Sequence, residues 1–205
     1  MQDVRIVVAT RNRHKVREIA VLLDEAGLAI EPVTIDEVAP RAELVEDEDT
    51  FDGNALAKAR QASVACGMPA IADDSGIEVD ALGGAPGVRS ARWAGEPCND
   101  QRNNDKLLRE MVGIPTEKRG ARYRCAAAFV DASQGAEVVR SGACEGVVLD
   151  SPRGQGGFGY DPLFFLPGLG KTMAEIDLDQ KNQLSHRAAA FRGLVAALRD
   201  RMPKK

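Results

Sequence analysis

Apolar residues run from Val4 to Ala9 with only Arg5 interrupting them, a pattern that predicts a strand covered on both faces. From Lys15 the rhythm changes. Val16, Ile19, Leu22, Leu23 and Ala26 recur at helical spacing, and Gly27 supplies a stop. Together they predict a strand–loop–helix unit with the loop at Thr10 to His14. Thr50 reads as the N-cap of a second helix that carries Leu56 and Ala59 and closes at Cys66 and Gly67. A short apolar strand follows, predicted to stop at Asp73, then another from Ile77 to Asp80 and a glycine-rich turn at Gly83, Gly84 and Gly87. A third helix is predicted over 100–111, and two long strands over 122–130 and 137–148 joined by a Ser-Gln-Gly turn. The glycine-rich loop 154–159 leads to a short strand at 163–166. A last helix beginning near Gln183 aligns Leu184, Ala188, Phe191, Leu194, Val195 and Leu198 on one stripe. There is no internal repeat, low-complexity tract or linker. The sum is one α/β domain over residues 1–205 with a mixed sheet.

Composition narrows the partners. With 44% hydrophobic but only 4% aromatic residues, the core must be aliphatic. A net charge of -4 argues against a nucleic-acid partner, because duplex binders show a basic face. No run of about eighteen apolar residues exists, so no membrane partner is expected. The start, Met1-Gln2-Asp3-Val4-Arg5, lacks the basic-then-apolar pattern of a secretory signal. Cys66, Cys98, Cys125 and Cys144 are widely spaced and form no Cys-x-x-Cys, which fits the reduced thiols of a cytoplasmic protein. His14 and His186 are the only histidines, so any metal should be held by oxygen.

The candidate chemistry begins at Ala72-Asp73-Asp74-Ser75-Gly76, where an apolar run meets two adjacent carboxylates. Side by side they repel, which points to a cation, and Asp oxygens suit Mg2+. The competing reading is a turn in which an Asp bonds its own backbone and Gly76 takes a left-handed conformation. Two phosphate signatures fail. Gly154, Gly156 and Gly159 have dinucleotide spacing, but Tyr160-Asp161-Pro162 follows where a helix is required. Gly170-Lys171-Thr172 resembles the end of a P-loop, yet Phe165 stands where its first glycine belongs.

Thr10-Arg11-Asn12-Arg13-His14-Lys15 is a better anion site, since it offers cations and polar donors at a helix N-terminus. A solvated charge run is its bland alternative. Phe158-Gly159-Tyr160-Asp161 puts two aromatics and a carboxylate in a glycine loop, whose bland reading is a turn with a core Phe. Lys181 with Ser185-His186-Arg187 gathers basic groups at the start of the last helix. Glu43, Glu46, Asp47, Glu48, Asp49 and Asp52 form an acidic run, one of which could complete a metal site with Asp74.

Taken together these segments resemble the inosine triphosphate pyrophosphatase family. The matching stretches are Thr10-x-Asn12-x-x-Lys15, Thr50-Phe51-x-x-Asn54-Ala55-x-x-Lys58-Ala59, Ala72 to Gly76, and Leu82-Gly83-Gly84-x-Pro86-Gly87. Ser90-Ala91-Arg92, Gly156 to Pro162, Gly170-Lys171-Thr172 and Lys181 with Ser185-His186-Arg187 complete them. They come in the family's order over almost the whole chain. One departure is Gly53, where the pattern has an acidic residue before Asn54. The resemblance implies an elongated mixed sheet with flanking helices, two lobes and an active cleft between them. It also implies a homodimer, a Mg2+ requirement and hydrolysis of non-standard purine nucleoside triphosphates (ITP, dITP, XTP) to the monophosphate and pyrophosphate.

Carried over by residue, Asp74 is the catalytic carboxylate and a metal ligand, with Glu46 the second ligand. Thr10, Arg11, Asn12, Arg13, His14, Lys15, Lys58 and Ser75 hold phosphates. Phe158 stacks on the base, and Gly159, Tyr160, Asp161, Lys181, His186 and Arg187 line the nucleoside pocket. Two rivals stand beside this: a pyrophosphatase for modified pyrimidine nucleotides, and a non-enzymatic nucleotide sensor.

Overall fold

The computed structural model describes residues 3–199 together with Arg201 and Met202; Met1 and Gln2 of the stretch read for a secretory signal lie outside them. In chain order the strands are β1 (Val4–Val8), β2 (Ile30–Thr34), β3 (Ala70–Val79), β4 (Gly120–Asp131), β5 (Ala136–Val148), β6 (Phe164–Leu166) and β7 (Lys171–Thr172). The helices are α1 (Arg13–Glu25), α2 (Ile35–Val38), α3 (Phe51–Cys66), α4 (Asp100–Glu110), α5 (Leu178–Leu184) and α6 (His186–Leu198). Among the described residues the seven strands form one sheet in the order β2-β1-β3-β4-β5-β6-β7. It is mixed: β1 runs parallel to β2 and β3, whereas β6 is antiparallel to β5 and β7. Among the described residues no helix is long and apolar enough to cross a membrane.

Three expectations need correction, and one strand went unread. The strand predicted to stop at Asp73 continues through both carboxylates to Val79, so the pair lies inside a strand and not at its end. Gly76 is a strand residue, which removes the turn reading. A Cβ at position 76 would run into Ser90 Oγ and the Gly87 carbonyl, and close approach is therefore the reason for a glycine there. The single helix predicted from Gln183 is two helices, because Ser185 is extended at φ -73° and ψ 155°. Finally, β2 escaped the sequence reading because Pro32 interrupts it; as the outermost strand it tolerates a residue that donates no ladder bond.

Elsewhere local chemistry sets the boundaries. The Asn12 side chain accepts from the His14 and Lys15 amides and starts α1 at Arg13, so Arg13 and His14, read as loop, are helical. Thr50 caps α3 by accepting from the Gly53 amide, and Gly67 ends that helix in the left-handed region at φ 60°.

The chain divides into two compact units, with the boundary inside β3 between Asp74 and Ser75. The first unit comprises residues 1–74, 125–142 and 187–205. Period-two alternation gives its strands two apolar faces. Ile71, Cys125, Ala127 and Phe129 pack with Ile19, Leu22 and Leu23 of α1 and Ala188, Phe191 and Leu194 of α6. The alternate residues Ala70, Ala72, Ala126 and Ala128 pack with Ala55, Ala59 and Ala62 of α3. The second unit, 75–124 and 143–186, has its own core of Ile77, Leu107, Met111, Tyr123, Leu163 and Phe164.

Replacing Gly76 with alanine tests the close-approach argument. The added methyl must displace Ser90 or the Gly87 backbone, so urea unfolding should show a loss of about 1–3 kcal/mol. Unchanged stability would mean that the backbone there yields freely.

Candidate active site

Adjacent strand residues point to opposite faces, and the two carboxylates separate accordingly. Asp73 joins the face that carries α1 and α6. Its Oδ2 receives Lys15 Nζ at 3.1 Å and the Arg187 guanidinium at 3.1 Å, with Cys125 Sγ at 3.9 Å. The same guanidinium bonds Glu18, and Asp73, Glu18 and Arg187 are all buried. Burial alone would raise the Asp73 titration. The cations of Lys15, Arg187 and Lys58 outweigh it and hold this carboxyl well below the usual value. The two carboxylates also keep Arg187 charged against its burial.

Asp74 joins the α3 face. Asn54 and Lys58, four residues apart on that helix, both reach it: Asn54 Nδ2 donates to Oδ2 at 3.0 Å and Lys58 Nζ lies 3.9 Å from Oδ1. Lys58 also bonds Glu46 and donates to the Asp73 carbonyl at 2.8 Å. Burial lowers the Lys58 titration, but Glu46, Asp74 and Asp73 more than reverse this, so the ammonium stays charged. For Asp74 the balance falls the other way. Burial raises its titration, the lysines 58 and 15 offset only part of that, and Glu46 adds to it. Of the two neighbours, Asp73 is a fixed anion and Asp74 is the one placed to take up a proton.

Both Glu46 and Asp74 reach the Lys58 ammonium, so their oxygens approach one point. On that face two carboxylates, Glu46 and Asp74, share the one ammonium of Lys58. Among the described residues no group of three or more His, Cys, Asp or Glu converges as a metal cage. Two carboxylates are what Mg2+ uses when waters and phosphate oxygens complete its shell, and the donor set fits that ion.

The basic loop is more committed than its sequence implied. Asn12 already occupies two of the α1 amides that an anion would use. Arg11 bonds Asp36 at 2.9 Å and the carbonyls of Pro40 and Ala42, and Thr10 Oγ1 accepts from the Asn12 amide at 3.2 Å. Arg13 and His14 are exposed on the first turn of α1. Gly53 is explained sterically: a Cβ there would come within 2.9 Å of Glu48 Cβ and Thr50 Oγ1, in space that an acidic side chain would need.

The second unit holds a separate constellation around Asp161, which is buried. Its Oδ2 accepts from Lys181 Nζ at 2.7 Å and from the Phe158 amide at 2.9 Å, while Oδ1 accepts from Tyr123 Oη at 3.1 Å. Burial and the Asp161 charge push Tyr123 well above its usual titration, so it remains a donor. Lys181 Nζ lies 4.7 Å from the centre of the half-buried Phe158 ring. His186 stacks on Tyr123 with ring centres 4.7 Å apart. Gly157 lets the loop close onto Asp161, whose carboxylate fills the place of a Cβ at φ 72°.

The candidate residues therefore fall into groups. The first unit gathers Lys15, Glu46, Lys58, Asp73 and Asp74, and the second gathers Phe158, Asp161, Lys181 and His186; Gly159 belongs to the same loop and Ser75 opens the second unit. Arg187 is 1% exposed, and its guanidinium bonds Asp73 and Glu18 within the carboxylate network. Tyr160 is a core residue whose hydroxyl bonds the Ser90 carbonyl at 2.8 Å. Lys181 sits in the last turn of α5 and not at a helix start. Glu18, Asn54 and Tyr123 went unassigned. Asn54 had a visible signal, its spacing of four from Lys58; Glu18 and Tyr123 lay in amphipathic and strand patterns that gave none.

The fold is a mixed α/β sheet with a divided carboxylate pair in its first unit and an aromatic–ammonium cluster in its second. The chain belongs to the Ham1 family, whose profile matches residues 6–197. It is 50% identical over 198 residues to a dITP/XTP pyrophosphatase of Geobacter sulfurreducens, covering 97% of this chain and 96% of that one. Its fold matches a HAM1 protein from Coxiella burnetii with a TM-score of 0.86 at 36% identity, covering 96% and 99% of the two chains. The Staphylococcus aureus Ham1 protein matches with a TM-score of 0.84, again at 36% identity and with 96% and 99% covered.

The Arg187 assignment has a measurable consequence. Arg187→Ala leaves Asp73 and Glu18 buried without their guanidinium and should lower unfolding stability by about 3–5 kcal/mol. Asp74→Asn, at a site that already disfavours charge, should change it by under about 1 kcal/mol. The depressed Asp73 titration stabilises the fold above its unfolded value of 3.8, and that stability is lost as pH falls through the folded value. Arg187→Ala should therefore also unfold at a higher pH than the wild type in an acid titration. Equal stability of the two variants would contradict the structural role of Arg187.

Proposed function

We propose that this chain is a nucleoside triphosphate pyrophosphatase that hydrolyses non-standard purine nucleotides such as ITP, dITP and XTP to the monophosphate and pyrophosphate. The observation that carries the reading is the contrast within the carboxylate pair: Asp73 locked as an anion by Lys15 and Arg187, Asp74 buried and shifted toward proton uptake. Water adds across the bridge between the α and β phosphates. Its proton passes to Asp74, its oxygen bonds to phosphorus, and the bond to the pyrophosphate oxygen breaks. A carboxylate in hydrogen-bond reach of the water supplies about 10²–10⁴-fold.

Lys15 and Lys58 place positive charge beside that point, and phosphoanhydride hydrolysis depends on such positioning more than on covalent chemistry. Mg2+ held by Glu46 and Asp74 would supply Lewis-acid neutralisation of the phosphate oxygens. Asn54 keeps the Asp74 carboxylate oriented through its 3.0 Å bond.

In the second unit, Phe158 offers a stacking face with Lys181 over it, and His186 stacks on Tyr123, whose hydroxyl shares Asp161 with Lys181. Donors there suit the 6-oxo group of hypoxanthine or xanthine. Adenine brings an amino group to the same place and leaves a donor facing a donor, a mismatch that can discriminate by about 10⁴–10⁵ when buried. Removal of such nucleotides from the pool, a cytoplasmic setting and a homodimer complete the proposal and follow from the family pattern.

Pyrophosphate release from ITP, XTP and dITP should exceed that from ATP by orders of magnitude in a parallel assay. Asp74→Asn should abolish turnover in a folded protein. In the metal-free protein the Asp74 carboxyl should titrate above its ordinary value of 3.8, and added Mg2+ should lower that titration. Comparable rates with ATP, or normal turnover by Asp74→Asn, would overturn the assignment.

Metal removal gives a second check. After chelation Mg2+ should restore activity and Zn2+ should not, since the site offers oxygen ligands only. Glu46→Gln should raise the Mg2+ concentration needed for half activity more than Glu48→Gln does. Equal effects would show that Glu46 acts only as part of an acidic surface.

A further inference from the structure

The loop that carries Phe158 is held from within by Asp161, but it is also gripped from α4. Asp100 Oδ2 accepts from the Gly159 amide at 2.7 Å, and Asn104 Nδ2 donates to the Gly159 carbonyl at 2.9 Å. The two side chains stand four residues apart, hence on one helical face, and together they bind both polar groups of a single loop residue. Asn99 caps the helix by accepting from the Arg102 amide at 2.8 Å, so Asp100 is not needed as the cap. Asn103, the buried neighbour, is spent on the Ala91 carbonyl and the Ala94 amide. Asp100 also complements the α4 dipole from its first turn, but its Oδ2 and the Asn104 amide are both turned to the loop.

We infer that Asp100 and Asn104 are positioning residues for base recognition, fixing the Phe158 ring where a purine can stack on it. The inference rests on the base-binding role given to Phe158 above. A loop this rich in glycine, with residues 154, 156, 157 and 159 all glycine, has many conformations to lose. Unless something outside fixes it, binding a purine must itself order the ring and its affinity suffers. Asp161 fixes the Phe158 amide on one side, and the α4 pair fixes the next residue on the other.

Asn104 also bears the mark of a residue kept for something other than stability. With its amide nitrogen turned to Gly159, its Oδ1 is buried without a hydrogen-bond partner among the described residues. A buried acceptor in that state opposes folding. Leucine, of similar size, would remove the burden along with the grip.

The test is calorimetric titration of IMP, which reads base binding without requiring turnover, on the wild type, Asn104→Leu, Phe158→Ala and the double variant. Asn104→Leu should weaken IMP by about fivefold, the worth of one hydrogen bond, with no fall in Tm. In the Phe158→Ala background the same change should have no further effect, because the positioned ring is gone. Asp100→Asn keeps an acceptor oxygen and should stay near wild-type affinity, while Asp100→Ala should weaken it. Equal weakening by Asn104→Leu with and without Phe158, or weakening that appears only with a lower Tm, would overturn the inference. So would a wild type that does not bind IMP. A wild type that binds IMP with this pattern but releases no pyrophosphate from ITP would instead sink the proposed reaction and leave the loop assignment standing.

Discussion

Asp73 and Asp74 occupy consecutive positions in the middle of a strand, and the pleat sends them through opposite faces of one sheet. This geometry governs the first unit. Two carboxylates that would repel each other in a turn are instead given separate surroundings. One meets α1 and α6 with their lysine, arginine and glutamate; the other meets α3 with its asparagine and lysine. The backbone carbonyl of Asp73 ties the two sides together, since it accepts from the lysine that faces Asp74.

Such a network is not present because it stabilises. Desolvating a carboxylate and a guanidinium costs several kcal/mol each, and aliphatic packing at the same volume often does as well or better. What the network provides is a difference in proton affinity between neighbours in sequence. The second unit repeats the logic on a smaller scale, with Asp161 as an acceptor for a lysine, a tyrosine and a backbone amide. There the buried charge organises a glycine-rich loop that has little side-chain packing of its own.

Much of this was legible in the sequence. The helical spacing of α1, the Thr50 cap and Gly67 stop of α3, and the long strands β4 and β5 follow from patterns that tertiary contacts do not override. The carboxylate motif was found, but its place in the strand was not, because Asp, Ser and Gly are turn formers and only Ser90 and Gly87, distant in sequence, show why Gly76 belongs in a strand. Pro32 concealed β2, and Ser185 divided a helix whose apolar stripe looked continuous. For the site, residue types showed where charge gathers but not which partners each charge meets. Arg187 and His186 are adjacent in sequence, yet one is buried on the carboxylate network and the other stacks on Tyr123. Glu18 shows the limit most plainly, since a glutamate on an amphipathic helix reads as solvated until its guanidinium partner is seen.

The central claim is that these two adjacent carboxyls titrate in opposite directions. Carbon-13 NMR of protein labelled at the aspartate carboxyl, with Asp73→Asn and Asp74→Asn used for assignment, measures both directly. The account predicts that Asp73 titrates below 3.8 and Asp74 above it. Titration of both near the ordinary value, or with the order reversed, would contradict it.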